Sequence, residues 1–376
     1  MMNIGFDAKR AVQNNTGLGN YSRYIIEVLS EYYSENRYVL FAPREKANNR
    51  LASIFSRKNI FSVFPSGLSK FIPSLWREWG INRDIKKNDI SIFHGLSNEL
   101  PIGVRRTGIK TIVSIHDLIF LRYPQYYNLI DRLIYRIKFK RACLKSDKII
   151  AVSECTKRDI ISFFNVPEEK IKVVYQGCHK QFKTPVSEEK RRKVLEKHKL
   201  PSRYLLYVGS IETRKNLLLA VQALTRLPDD IHLVAIGKST PYQSKINTFA
   251  RKANLTSRIH IKNDFPFEDL PSVYQSASLF IYPSFFEGFG IPIIEALSSG
   301  VPVIAAKGSC LEEAGGHDSV YVNPTDPQAL SEKIQEVLSD PAIADAMSEK
   351  GKKYVQRFSD EVIASDIMAV YQSLFA

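Results

Sequence analysis

Short apolar runs recur along the whole chain, and stretches of helical period separate them. The runs that read as buried strands are Ile4–Phe6, Tyr38–Phe41, Thr111–Ile115, Lys148–Val152, Tyr204–Val208, His232–Ile236, Leu279–Tyr282 and Val301–Ala305. Between the first two, Asn20–Tyr33 places Tyr21, Tyr24, Ile25, Val28, Leu29 and Tyr32 on one helical face. Alternation of this kind predicts an α/β fold, parallel sheets with helices on both faces. A length of 376 residues exceeds what one hydrophobic core sustains, so two such domains are expected. The stretch from 180 to 200 is polar and charged and precedes a new strand. It reads as a linker between a domain at 1–180 and another at 200–355, with a helical C-terminal region from about residue 327.

Composition narrows the classes of function. The apolar fraction of 44% is that of a globular protein, and the four cysteines (Cys143, Cys155, Cys178, Cys310) show neither metal-type pairing nor a disulfide framework. They read as reduced thiols, so a cytoplasmic location is expected. No run has the length of a signal peptide or a membrane span, which points to a soluble or peripheral protein. Charge is uneven. Residues 1–185 hold 31 Lys and Arg against 16 Asp and Glu, while residues 186–376 hold 22 against 23. The first half therefore suits an anionic partner.

Four segments carry candidate chemistry. Gly17-Leu18-Gly19 follows the first strand and precedes a helix, where backbone N–H groups and the helix dipole favour a phosphate; a plain turn fits this segment equally. Gly209 to Asn216 follows another strand and puts Arg214 and Lys215 at its carboxyl end, where α/β folds bind ligands and where both cations suit a diphosphate. The block Pro283 to Ile304 holds Glu287 just before a helix start, the Gly288-Phe289-Gly290 turn, Pro292 in the first turn, Glu295 inside the helix and Gly300 as its stop. A carboxylate inside the apolar Ile293–Leu297 stretch needs partners, and vicinal sugar hydroxyls would supply them. Finally, His116 ends a strand within Ser114-Ile115-His116-Asp117, where a ligand-contacting or a structural histidine fits. Gly237-Lys238-Ser239-Thr240 resembles the end of a phosphate-binding P-loop, but His232 stands where that motif needs glycine. No Asp-x-Asp metal site occurs, so no metal is expected.

Together these segments, with Ala151-Val152-Ser153-Glu154 and Tyr175-Gln176-Gly177, resemble the retaining nucleotide-sugar glycosyltransferases of the large fourth family, the group 1 glycosyltransferases, and among them bacterial mannosyltransferases. The resemblance covers nearly the whole chain, and the Glu, seven residues, Glu pattern of Glu287 and Glu295 is its most specific element. It implies the GT-B fold, two doubly wound Rossmann-like domains facing a central cleft, with a C-terminal helix (356–376) returning toward the acceptor-binding first domain. It implies a hexosyltransferase that moves a sugar, mannose favoured, from a nucleotide donor to a glycan or lipid-linked glycan in surface polysaccharide or lipopolysaccharide assembly. UDP-glucose and UDP-N-acetylglucosamine are alternative donors to GDP-mannose, and no cofactor is implied. By the same resemblance, Gly17 and Gly19 admit the donor phosphate and sugar, His116 contacts the transferred sugar, and Arg214 and Lys215 clamp the diphosphate. Glu287 and the N–H groups of Phe289 and Gly290 bind sugar hydroxyls, and Glu295 binds the ribose. Ser210 stands where the family commonly has Arg, Gln176 where Asn is common, and Gly237-Lys238-Ser239 replaces a more glycine-rich turn.

The basic first half fits an anionic membrane surface. Ile130, Leu133, Ile134, Ile137 and Phe139 interleave with Arg132, Arg136, Lys138, Lys140 and Arg141, and Phe71 to Lys87 surrounds Trp76 and Trp79. A solvated face over a buried apolar stripe is the alternative for either stretch. A nucleotide-sugar epimerase would share the architecture without the Glu287/Glu295 block. A nucleic-acid-binding protein would show a recognition motif, and a dinucleotide oxidoreductase would show a spaced glycine fingerprint.

Overall fold

The computed structural model describes residues 1–14, 16–45 and 51–376, with Ala52 and Ser53 described by their backbone only. Every strand pairing is parallel. The chain divides into two compact units, one of Met1–Gly177 with Phe358–Ala376 and one of Cys178–Arg357.

The first unit is built on a seven-stranded sheet: β1 (Asn3–Asp7), β2 (Arg37–Phe41), β3 (Ile60–Val63), β4 (Ile92–Gly95), β5 (Lys110–Ile115), β6 (Lys148–Ala151) and β7 (Ile171–Val173). Its spatial order is β3-β2-β1-β4-β5-β6-β7, so the direction of winding reverses between β1 and β4. In the second unit the strands are β8 (Tyr204–Val208), β9 (His232–Ile236), β10 (Ile259–Lys262), β11 (Leu279–Tyr282), β12 (Val303–Ala306) and β13 (Val320–Val322). There the order is β10-β9-β8-β11-β12-β13, and the reversal falls between β8 and β11. Strands covered by helices on both faces are near-continuously apolar, which is why β8, β9 and β11 were legible as runs.

Five strands escape sequence reading. β3 exposes Phe61 and Ser62 at a sheet edge, β7 and β10 are short with polar interruptions, and β13 has only three residues. β4 is a central strand buried along its length, but its sequence ends in His94-Gly95, which breaks the apolar run. Its histidine is tolerated because its partners are built in. His94 Nε2 and Ser114 Oγ are 2.8 Å apart, Ser114 Oγ and Tyr21 OH 2.8 Å, and His94 Nδ1 and Tyr371 OH 2.8 Å. Burial holds this imidazole neutral, with its pKa lowered to about 3.

Two stretches differ from expectation. The helix expected from Asn20 begins at Gly17 and runs to Tyr32, and a further helix, Lys9–Gln13, stands between it and β1. Gly17 and Gly19 thus lie in a helical first turn, not in an open loop. The stretch read as a linker contains the helix Glu188–His198, capped by the Ser187 side chain and joined to Asp269 through Lys197 and His198, both at 2.8 Å. Val194 is its one buried residue, so an ordered helix presents a sequence as polar as a linker. The final helix, Asp360–Gln372, packs on the Gly17–Tyr32 helix within the first unit, and Tyr24 OH donates to Asp360 Oδ1 at 2.8 Å.

Tyr371 is fully buried, and its hydroxyl faces His94. Tyr371→Phe leaves a buried ring nitrogen without that partner, and urea unfolding should show a loss of about 1–3 kcal/mol.

Candidate functional site

In the second unit, the reversal of strand order brings two loops together. The loop after β8 turns through Thr213–Lys215 into the helix Leu217–Leu224, and Asn216 between them adopts a left-handed conformation with φ of 56°. Its side-chain amide donates to the carbonyls of Pro283 and Pro324, at 3.1 and 2.8 Å. The loop after β11 is tied back by Phe285 N–H donating to the Arg214 carbonyl at 2.9 Å. That lacing fixes where Arg214, Lys215 and Glu287 meet.

Glu287 is their common acceptor. Lys215 Nζ donates to its Oε1 at 2.9 Å, Ser284 Oγ to the same oxygen at 2.7 Å, and Tyr282 OH at 3.2 Å. Arg214 Nη1 lies 3.0 Å from Oε2. Burial alone would raise this carboxyl, but Lys215 and Arg214 outweigh it and hold the pKa at about 2. Lys215 Nζ also donates to Tyr282 OH at 2.8 Å, while Arg214 holds the Phe286 carbonyl and Glu212 Oε1, at 2.5 and 2.7 Å. Cys310 Sγ donates to the carbonyls of Glu287 and Phe289, each at 2.9 Å, and pins the turn from behind.

That turn ends at Gly290, whose φ of 148° disfavours any residue with a Cβ, and a Cβ there would also press on Ala314 at 3.0 Å. The helix Ile291–Ser298 follows, with Pro292 in its first turn and the left-handed Gly300 just past its end. Its N-terminal N–H groups have no intrahelical acceptor, so the mouth of this helix favours electron-rich groups. Glu295 lies within the helix, and its carboxyl accepts from Tyr274 OH at 2.9 Å, the one described hydrogen bond of that side chain. Burial raises its pKa to about 7, with Tyr274 pulling the other way. Two carboxyls on one loop-helix unit thus stand in opposite states near neutrality. One is a firm anion, and the other is poised to exchange its proton.

The remaining candidates lie in the first unit. His116 follows β5, and its Nε2 lies 2.9 Å from the Leu96 carbonyl. A carbonyl only accepts, so Nε2 carries the proton and Nδ1 the lone pair. Burial lowers its pKa to about 4, against the opposing Leu96 hydrogen bond, and the Tyr21 ring stands perpendicular to it with centroids 4.5 Å apart. A neutral imidazole with an accepting Nδ1 suits a hydroxyl ligand. A Cβ on Gly19 would fall 1.8 Å from the Asn14 carbonyl, so glycine is required by close backbone approach. Apart from its chain neighbours and its own helix backbone, Gly17 has no described atom within 4 Å of where a Cβ would be.

Sequence reading did not assign Tyr274, Tyr282, Ser284 or Cys310 to this neighbourhood. Ser284 lies inside the block that carried the assignment and Tyr282 directly before it, so adjacency was a usable signal. Tyr274 and Cys310 come from other elements and gave none.

Comparison with known proteins gives a consistent picture. The model of the group 1 glycosyl transferases matches residues 186–354, and that of Glycosyltransferase Family 4 matches residues 16–182. The chain is similar to O-antigen chain mannosyltransferase B of Escherichia coli, with 31% identity over 289 residues, covering 75% of this chain and 74% of that one. It is similar to O-antigen chain mannosyltransferase RfbU of Salmonella typhimurium at 27% identity, covering 65% of each. Among solved structures, Anabaena HepE in complex with UDP and glucose aligns with a TM-score of 0.77 at 16% identity, covering 99% of this chain and 100% of that one. A glycosyltransferase from Rickettsia africae aligns with a TM-score of 0.78 at 19% identity, covering 100% and 98%. At such identities the structural likeness speaks for the fold.

The raised Glu295 carboxyl has a measurable signature. Between about pH 4.5 and 7 the folded chain holds a proton there that the unfolded chain has released, so its contribution to stability falls as pH rises through that window. Glu295→Gln should therefore gain in thermal midpoint relative to the parent from pH 4.5 to 7 and hold a constant difference above it.

Proposed function

The chain belongs to the group 1 glycosyltransferases and carries the two parallel-sheet domains of the GT-B fold, and on that premise we propose that it moves a hexose, mannose for preference, from a nucleoside-diphosphate donor to a glycan or lipid-linked glycan in surface polysaccharide assembly. The observation that carries this reading is the cluster of Glu287, Lys215 and Arg214 at the strand-order reversal of the second unit, beside the mouth of the helix that holds Glu295. Mannose is favoured because the Escherichia coli and Salmonella relatives are named as O-antigen mannosyltransferases.

Each residue then has a task set by its geometry. Lys215 has three N–H donors, two of them engaged by Glu287 and Tyr282, and the third serves a diphosphate oxygen. Arg214 has its terminal nitrogens on Glu212, Phe286 and Glu287, so it adds its charge from behind while orienting Glu287. Glu287, a firm anion, accepts from hydroxyls of the transferred sugar, and the N–H groups of Phe289 and Gly290 donate to that sugar. Glu295 takes the ribose hydroxyls as second partners beside Tyr274. Gly17 and Gly19 keep the helix start clear for the donor, and His116 Nδ1 accepts from a sugar hydroxyl.

The bond between the anomeric carbon and the diphosphate oxygen breaks as a bond to the acceptor oxygen forms on the same face. The departing phosphate takes the acceptor's proton, which gives a retaining course without an enzyme nucleophile. Charge grows on the diphosphate as the bond breaks, so Lys215, Arg214 and the oriented N–H groups stabilise the transition state more than the bound donor. These groups meet the charge without a metal or cofactor.

The first unit adds a peripheral membrane contact at the cytoplasmic face. In the helix Leu129–Lys145 only Phe139, Ala142 and Cys143 are buried, while Leu129, Ile130, Leu133, Ile134 and Ile137 face solvent. The apolar stripe is therefore not the hidden side of a solvated helix. An exposed aliphatic stripe among Arg132, Arg136 and Lys140 suits an anionic bilayer surface. No helix among the described residues is long and apolar enough to cross a membrane.

Lys215→Ala should lower kcat by about 10²–10³-fold, in line with loss of one charge-stabilising donor, with circular dichroism and the thermal midpoint showing that the variant is folded at the assay temperature. Turnover within twofold of the parent would remove Lys215 from the phosphate site. A thermal-shift series with GDP, UDP, GDP-mannose and UDP-glucose should raise the midpoint most for the guanosine ligands, and a larger shift with UDP would reassign the donor.

A further inference from the structure

A depression of about 920 Å³ opens on the flank of the first unit, walled by the Trp79–Lys86 segment, the Leu100–Thr107 loop and the C-terminal end of the Leu129–Lys145 helix. Arg83, Lys86, Arg105, Arg106, Arg141 and Lys145 line it, and no Asp or Glu does. The acids nearby have partners of their own, and Glu78 shares one of the lining cations, Arg141. Glu78 takes Lys138 at 2.9 Å and also lies 3.6 Å from Arg141, Asp84 accepts from Trp76 Nε1 at 2.6 Å, and Asp147 holds Thr111. Lys170 stands nearby, and its ammonium is disfavoured first by burial and then by the charges of Arg105 and Lys145. Cations crowded in this way repel one another, and a bound anion relieves that repulsion.

The surroundings indicate the anion's source. Leu133, Ile137, Arg141 and Leu144 follow one another at helical spacing, so the solvent-facing aliphatic stripe of this helix runs directly into the cationic depression. On the opposite wall, Trp79 is 50% exposed, and Leu75, Ile72, Phe71 and Leu68 lead away from it, all exposed. A free phosphate has no use for flanking aliphatic and aromatic side chains. An anionic phospholipid satisfies both features, with its phosphate among the guanidinium and ammonium groups and its acyl chains against the stripe.

We propose that the depression lined by Arg83, Lys86, Arg105, Arg106, Arg141 and Lys145 is a headgroup site for an anionic phospholipid, which anchors the first unit at a defined point on the bilayer. This inference rests on the membrane-surface reading above and adds to it a particular partner and place. Arginine forks bind the phosphate oxygens in pairs, and the lysines add charge at the rim. None of the six belongs to the proposed transfer machinery.

Vesicle co-sedimentation tests it, with phosphatidylcholine alone and with added phosphatidylglycerol. The full chain is compared with Arg83→Ser/Arg105→Ser/Arg106→Ser, with Leu133→Asp/Ile137→Asp, and with a control that removes equal charge from exposed sites of the second unit, Lys245→Ser/Arg251→Ser/Lys252→Ser. Circular dichroism and the thermal midpoint establish that each variant is folded. The pocket variant should lose tenfold or more in partitioning to phosphatidylglycerol vesicles, the control about twofold or less. Equal binding by the pocket variant and the parent, with the Leu133/Ile137 variant impaired, overturns the headgroup site and leaves the membrane surface standing. No binding by the parent overturns both. A response of Trp79 emission to inorganic phosphate, without any response to vesicles, assigns the depression to a soluble phosphate and overturns the lipid.

Discussion

The contact of Lys215 and Arg214 with Glu287 joins two loops that are distant in sequence and adjacent only because strand order reverses between β8 and β11. A largely buried carboxylate and two largely buried cations are stable together and costly apart, so each side of the junction holds the other in register. Asn216 reinforces it by bridging the carbonyls of Pro283 and Pro324, and Cys310 holds the turn from the opposite side. The direction of the Ile291–Ser298 helix, and with it the place of Glu295, follows from this junction. Topology alone brings two positive charges and a firm anion within contact distance here.

The first unit solves a related problem with neutral groups. A buried chain of hydrogen-bonding partners runs from Tyr21 through Ser114 and His94 to Tyr371, linking the Gly17–Tyr32 helix, two central strands and the C-terminal helix. Tyr21 also packs its ring perpendicular to that of His116, so the network that satisfies the core helps to place the candidate ligand-contacting histidine. Burial keeps both imidazoles uncharged at neutral pH, and they act through tautomer and orientation, not through charge.

Glu287 and Glu295 illustrate how environment separates two chemically similar groups. The first is surrounded by donors and cations and is held near pKa 2. The second has one tyrosine in an otherwise apolar helix face and is held near 7. The same contrast appears on the scale of the chain. Six cations of the first half, Arg83, Lys86, Arg105, Arg106, Arg141 and Lys145, line one depression beside exposed aliphatic side chains.

By itself the sequence determined the fold class, the two-sheet plan and the composition of the Pro283–Ile304 block, because those are written in local patterns: apolar runs, helical period, Gly290 and Gly300 at the helix ends, Glu287 and Glu295 at their spacing. It marked the Leu129–Lys145 stretch as amphipathic but left open which side faces water. Tertiary structure decided the rest. β4 is central although its sequence is interrupted, since the partners of His94 come from Ser114 and Tyr371, far along the chain. The Glu188–His198 helix is ordered although its sequence looks like a linker. Tyr274 and Cys310 reach the site only through packing, and the aliphatic stripe proves to be exposed because Phe139, Ala142 and Cys143 take the buried face. Periodicity fixes which residues share a face, whereas which face is covered depends on what other parts of the chain bring against it.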